Sequence, residues 1–216
     1  MGWEKVSQAA VPCVTEARRG EDCAADLRIL GGLTLLVRAG DRWEASETAM
    51  LRRATTDLLV VARWTPEAFR RALGGPITLV RLRECPIVTD DAGVRYPLLG
   101  LYDARRRTLT INDWNFDERT GGEVAGRSVF LHELAHAWDG HSRYVLSWGL
   151  RWLPGERASA YARSSRFEDW AEAVMGAVYG AEPGHDAFDR DARGRPSPRL
   201  RYVRHAFAWY RRGARR

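Results

Sequence analysis

The chain is short of cysteine, lysine and histidine, and it has no long apolar run. Its three cysteines, Cys13, Cys23 and Cys85, form no C-x-x-C pair, so they do not suggest a thiolate metal site. Cys13 and Cys23 can be read as a disulfide of an oxidising compartment or, with Cys85, as three ordinary thiols. No stretch approaches the roughly eighteen apolar residues of a membrane span. Met1 to Ala10, with Trp3, Glu4 and Lys5, lacks the apolar segment of a signal peptide, so export is expected only by another route or with a leader not present here. Lys5 is the one lysine, and the dominance of arginine is ascribed to genome composition, not to function.

What remains is enough for a core. With 216 residues, 45% of them hydrophobic, the chain fits one domain better than two. The formal charge of +6 is unevenly placed. Residues 192–216 hold nine arginines and no acid, which leaves residues 1–191 at −3. The basicity belongs to the tail.

Element patterns alternate between helix and strand. Leu33 to Arg38 and Ile77 to Arg83 read as strands, and Ser46 is expected to cap a helix with Met50, Ala54, Leu58 and Val61 on one face. Thr65-Pro66 opens a second helix that Gly74-Gly75-Pro76 ends. Gly100 to Ile111 reads as a turn feeding an alternating strand, and residues 112–127 as a polar loop. Ser142 to Ala160 reads as a loop whose Trp148 and Trp152 either line a cleft or pack the loop down, with equal weight. Phe167 to Tyr179 and Arg199 to Arg212 read as amphipathic helices, the latter seamed by Leu200, Val203, Phe207 and Tyr210. The fold class expected is α+β, as a single domain over 1–216. Its parts are an N-terminal α/β portion (1–99), a central portion (100–180) and a basic C-terminal helix (192–216).

Between these elements lies Val129-Phe-Leu-His132-Glu133-Leu-Ala-His136-Ala-Trp138-Asp139, an H-E-x-x-H pattern in an otherwise apolar run. On a helix His132 and His136 share a face one turn apart and can reach one metal, with Glu133 flanking it. Gly126 and Ser128 are expected to open this helix and Gly140 to end it. The pattern points to one zinc ion and to Glu133 as a general base. A catalytic zinc takes a third protein ligand, for which Glu168 is the candidate. Glu172, one turn on, and Asp139 are candidates to accept the free N–H of a ligating histidine. Ser165-Arg-Phe-Glu168 is also a capping box, and taken alone the pattern favours the cap over the ligand.

The order of these parts resembles the catalytic domain of anthrax lethal factor and the related secreted Pro-Pro endopeptidases. Those zinc peptidases carry a Gly-Leu-Tyr strand segment, H-E-x-x-H, a tyrosine seven residues before a ligand glutamate and a second glutamate four beyond it. Gly100-Leu101-Tyr102, His132 to His136, Tyr161, Glu168 and Glu172 stand in that order here. The chain departs in Trp138, in a shorter separation between the metal helix and Glu168, and in its arginine-only tail. The resemblance, covering about residues 100–178, implies a zincin-like fold with a small mixed sheet, an edge strand over the cleft and a helical C-terminal part.

It further implies an endopeptidase that cuts a protein or peptide substrate. His132, His136 and Glu168 would hold zinc, and Tyr161 would steady the oxyanion. Arg107 to Ile111 would pair with the substrate backbone as an added antiparallel strand; side-chain specificity has to come from elsewhere, and apart from the resemblance the candidates for it are Trp114, Trp148 and Trp152. A secreted or host-delivered effector follows by the same analogy. Other readings are a zinc peptidase held on nucleic acid by its basic tail, and a non-catalytic zinc-binding protein of this fold. A docked C-terminal helix with a solvated basic face is the plainer account of the tail.

Overall fold

The computed structural model describes residues 27–29, 33–36, 43–82, 87–89, 93, 95–116, 122–191 and 193–212. The three cysteines and the N-terminal arm lie outside that set. Seven strands are described, β1 (Leu27–Ile29), β2 (Leu33–Leu36), β3 (Ile77–Leu82), β4 (Ile87–Thr89), β5 (Arg95–Pro97), β6 (Gly100–Asp103) and β7 (Thr108–Asn112). The helices are α1 (Ala45–Ala62), α2 (Pro66–Leu73), α3 (Gly122–His141), α4 (Val145–Arg151), α5 (Arg166–Tyr179) and α6 (Pro198–Arg212). The architecture is mixed α+β. No described helix is long and apolar enough to cross a membrane.

The sheet is mixed and runs β1-β2-β3-β7-β6, with β4 and β5 forming a separate hairpin. Strand β3 is parallel to β2 on one side and to β7 on the other, and β6 is antiparallel to β7 in the register Gly100 with Ile111. Ile77, Leu79, Leu109 and Ile111 are fully buried, as expected of central strands covered by helices. This placement corrects the expected edge. Strand β7 is paired on both sides, so its backbone groups are spent within the sheet, and among the described strands β6 is the terminal one on that side.

Several element ends also differ from expectation. Helix α1 is capped by Glu44, whose N–H donates to Glu47 Oε2 at 2.8 Å, and Ser46 lies inside the first turn. Its buried face is Met50, Leu51, Ala54, Leu58 and Ala62, while Val61 is exposed. The start and stop of α2 follow the sequence, with Thr65 accepting from Ala68 N–H at 3.2 Å and Gly74 left-handed at φ 70°. Helix α3 starts four residues before Gly126, which is a contact point instead. A Cβ there would lie 2.4 Å from the Asn115 carbonyl oxygen and 2.5 Å from Met50 Sδ.

Helix α3 does not end on Gly140. It runs to His141 and turns through two left-handed non-glycine residues, Arg143 (φ 54°) and Tyr144 (φ 62°), each disfavoured by about 1–2 kcal/mol. The corner is held by Tyr144 N–H on the Asp139 carbonyl at 2.8 Å and by Ser147 N–H on Asp139 Oδ1 at 3.1 Å. The segment expected as a loop after α3 therefore contains α4.

The basic tail docks as helix α6. Leu200, Val203 and Phe207 are buried, Trp64 Nε1 donates to the Phe207 carbonyl at 2.7 Å, and Phe207 stacks on Trp138 with centroids 5.7 Å apart. Trp138, beside the second histidine in sequence, is thus a core residue, packed also on Trp64, Trp170 and Tyr210. Arg199 reaches inward to Asp169 Oδ2 at 2.5 Å, both side chains nearly inaccessible.

Candidate metal centre

The H-E-x-x-H residues fall in the second half of α3, where the apolar flanks Phe130, Leu131, Leu134, Ala135 and Ala137 bury the helix against its neighbours. His132 and His136 remain partly exposed on one face. Their ring centroids are 4.8 Å apart and their Nε2 atoms 3.1 Å apart. Helix α5 packs against α3 and brings Glu168 Oε2 to 2.8 Å from His132 Nε2 and 3.3 Å from His136 Nε2.

Ser165 caps α5 by accepting the Glu168 N–H at 3.1 Å, yet the Glu168 carboxylate turns to the histidines. One residue thus supplies its backbone to the cap and its side chain to the cluster, and the two sequence alternatives are not exclusive.

The donor set fits a tetrahedral metal. Ligand bonds of 2.0–2.1 Å place neighbouring donors about 3.3–3.4 Å apart. The triangle of 2.8, 3.1 and 3.3 Å is within about half an ångström of that. The hydrogen-bond logic agrees. Glu172 Oε1 lies 2.7 Å from His132 Nδ1 and takes the N–H there, so neutral His132 turns a lone pair at Nε2 toward a carboxylate and a second imidazole. The three atoms His132 Nε2, His136 Nε2 and Glu168 Oε2 converge on one point, where a cation can bridge them. Burial disfavours charged His132, but the bonds to Glu168 and Glu172 outweigh burial and push its pKa up to about 10.

Glu133 stands on the neighbouring face, buried, with its carboxyl pKa raised chiefly by burial while His136 and His132 pull the other way. Strand β6 runs across it. A Cβ on Gly100 would lie 2.8 Å from Glu133 Cγ and 2.9 Å from its Oε1, so only glycine allows this approach. The segment leading into β6 is pinned by two asparagines of the polar stretch that starts at the last residue of β7. Asn115 Nδ2 donates to the Leu99 carbonyl at 2.6 Å, and Asn112 Nδ2 donates to that of Leu98. They sit where only polarity and turn propensity were legible.

Tyr161, at the head of a short 3-10 helix (Tyr161–Arg163), is 48% exposed, with its ring centroid 6.1 Å from that of His132. Asp139 is placed otherwise than expected. Its described hydrogen bond is to Ser147 of α4 and not to His132 or His136, so it shapes the corner after α3. Of the tryptophans, Trp148 and Trp152 are 43% and 72% exposed, beyond the far end of α3, and the side chain of Trp114 is outside the description.

The structure therefore brings His132, His136, Glu168, Glu172, Glu133 and Tyr161 together and leaves Asp139 apart. His132, His136 and Glu168 form the one group of potential metal donors among the described residues. Compared with protein-family models, curated proteins and solved structures, the chain finds no match.

Proposed function

We propose that the protein is a zinc-dependent endopeptidase in which His132, His136 and Glu168 hold the metal. The observation that carries this is the convergence of His132 Nε2, His136 Nε2 and Glu168 Oε2 within 3.3 Å of one another, with buried Glu133 beside them. A bound zinc would supply an acidified water and a Lewis acid for the scissile carbonyl. Glu133, its proton affinity raised by burial, takes the proton of the attacking water and passes it to the leaving amine. The Tyr161 hydroxyl, next to His132, donates to the developing oxyanion. Glu172 holds the His132 ring in the tautomer that leaves Nε2 free for the metal.

The substrate backbone is proposed to add as a strand to the outer edge of β6, which runs beside Glu133 at Gly100. This replaces the pairing on residues 107–111, which β3 and β6 already occupy. The zincin-like assignment, the relation to lethal-factor-type peptidases and a secreted or delivered role belong to the same proposal. They rest on the resemblance in residues 100–178.

The test is zinc content and peptide hydrolysis on wild type, Glu168→Ala and Glu133→Gln, each checked for folding by circular dichroism. One zinc per wild-type chain, lost in folded Glu168→Ala, supports the three-ligand site. Glu133→Gln is expected to keep zinc and lose on the order of 10²–10⁴ in turnover. Cleavage by Glu133→Gln at the wild-type rate sinks the mechanism.

A further inference from the structure

Past His136, α3 continues through Gly140, and aromatic rings gather around its end. Tyr102 of β6 approaches Gly140, with its ring 3.7 Å from where a Cβ would stand. Tyr144 packs edge-on against Phe167 with centroids 5.3 Å apart. Phe167 directly precedes the proposed ligand Glu168. Behind it the guanidinium of Arg166 lies between two rings, 4.3 Å from the centroid of Phe167 and 4.3 Å from that of Trp148. Arg151 extends the row at 5.5 Å from Trp148 and 5.2 Å from Trp152.

Three features of this row are unusual for a surface that serves packing alone. Its cations lack acids, because no carboxylate among the described residues pairs with Arg166 or Arg151, residues 142–155 contain no Asp or Glu, and Arg166 Nε is buried with no hydrogen-bond partner. Three of its rings are open to solvent, with Tyr144, Trp148 and Trp152 at 42%, 43% and 72% exposure, while Phe167 is half-buried. And the backbone is bent to make it, since the left-handed pair Arg143 and Tyr144 is what turns the chain so that Tyr144 meets Phe167. A guanidinium fixed between rings has its fork held and partly dehydrated, which favours a carboxylate partner over water.

We propose that the row Tyr144, Phe167, Arg166 and Trp148 is a specificity site for an acidic residue of the polypeptide substrate, on the side of the scissile bond beyond His136. It rests on the peptidase reading for the word substrate, though not for the binding itself. The acidic side chain meets Arg166, its neighbour in the substrate lies on the Trp148 face, and Arg151 adds long-range attraction. A basic residue at the same position is repelled.

The experiment uses a random dodecapeptide library. Zinc-loaded Glu133→Gln protein captures peptides for sequencing, wild type digests the same library, and Arg166→Glu, Arg166→Gln and Trp148→Ala are introduced into both. Expected is enrichment of Asp or Glu at one fixed position, roughly tenfold as one charge-assisted contact allows. The enrichment is lost in Arg166→Gln and replaced by Lys or Arg in Arg166→Glu; Arg166→Gln also decides the matter if Arg166→Glu does not fold. Captured peptides with no acidic position, or a preference that Arg166→Gln leaves unchanged, overturn the proposal. So does capture of a single-stranded oligonucleotide with the same Arg166 dependence, which would make the row a phosphate site. Acidic enrichment in capture without any digestion supports the binding site and removes the peptidase reading. Digestion with no acidic preference does the reverse.

Discussion

Nδ1 of His132 lies 2.7 Å from Oε1 of Glu172, a bond between the third and fifth helices that fixes which nitrogen of the imidazole faces Glu168 and His136. Because the carboxylate accepts the Nδ1–H hydrogen bond, the opposite nitrogen is left able to bind a metal. Glu172→Gln keeps the shape and removes the charge. Zinc affinity, measured by competition with a chromophoric chelator, is expected to fall by about 10–100-fold while the fold is kept. Unchanged affinity would show that the ring is oriented by something else.

Gly100 presses its backbone on Glu133, with a would-be Cβ only 2.8 Å from Glu133 Cγ and 2.9 Å from Val129 Cγ1. Gly100→Ala is expected to displace either β6 or the carboxylate. A displacement of about 1 Å costs on the order of a hundredfold in kcat/KM. Zinc content should be unaffected, since the change does not touch the three donors. Full activity in Gly100→Ala would mean that the strand and Glu133 move apart without consequence.

The metal-free protein should show an inverted pH response. The folded pKa of His132 is raised from 6.5 to about 10 by Glu168 and Glu172, against the opposing effect of burial. A raised pKa stabilises the fold fully below about 6.5, and the contribution is lost as pH climbs through about 10. Glu168 is shifted the other way: burial is outweighed by His136 and His132, its carboxyl stays ionised well below the usual range, and its contribution fades only in acid. Melting of chelator-treated protein is therefore expected to weaken between about pH 6.5 and pH 10. Zinc binding, which expels the His132 proton, should tighten over the same rise. A melting temperature flat across that range contradicts the shift.

Arg199 binds Asp169 Oδ2 at 2.5 Å and the Leu153 carbonyl at 3.1 Å, tying the C-terminal helix to α5 and to the segment after α4. Arg199→Ala leaves Asp169 buried with only Arg157, at 3.8 Å, nearby. Breaking such a pair costs about 3–5 kcal/mol, to be read from denaturant unfolding. Removal of an exposed tail arginine such as Arg201 should change little.

Local features are legible in the chain alone. The i, i+4 spacing of His132 and His136 places both on one helical face whatever surrounds them, and Ser165, Thr65-Pro66 and Gly74 mark helix ends through their own backbone chemistry. What required the tertiary structure was anything set by distant neighbours. Glu168 as cap or as cluster member is undecidable from Ser165-Arg-Phe-Glu168, because the answer lies in how α5 packs on α3. Which strand forms the sheet edge depends on pairing across residues 78–112, to which local alternation is blind. Asp139 turned to Ser147 because the corner after α3 is made by Arg143 and Tyr144, residues with no left-handed propensity that only surrounding bonds can hold there. The same corner set Trp148 and Phe167 around Arg166, a contact made between α4 and α5 and written in neither segment alone.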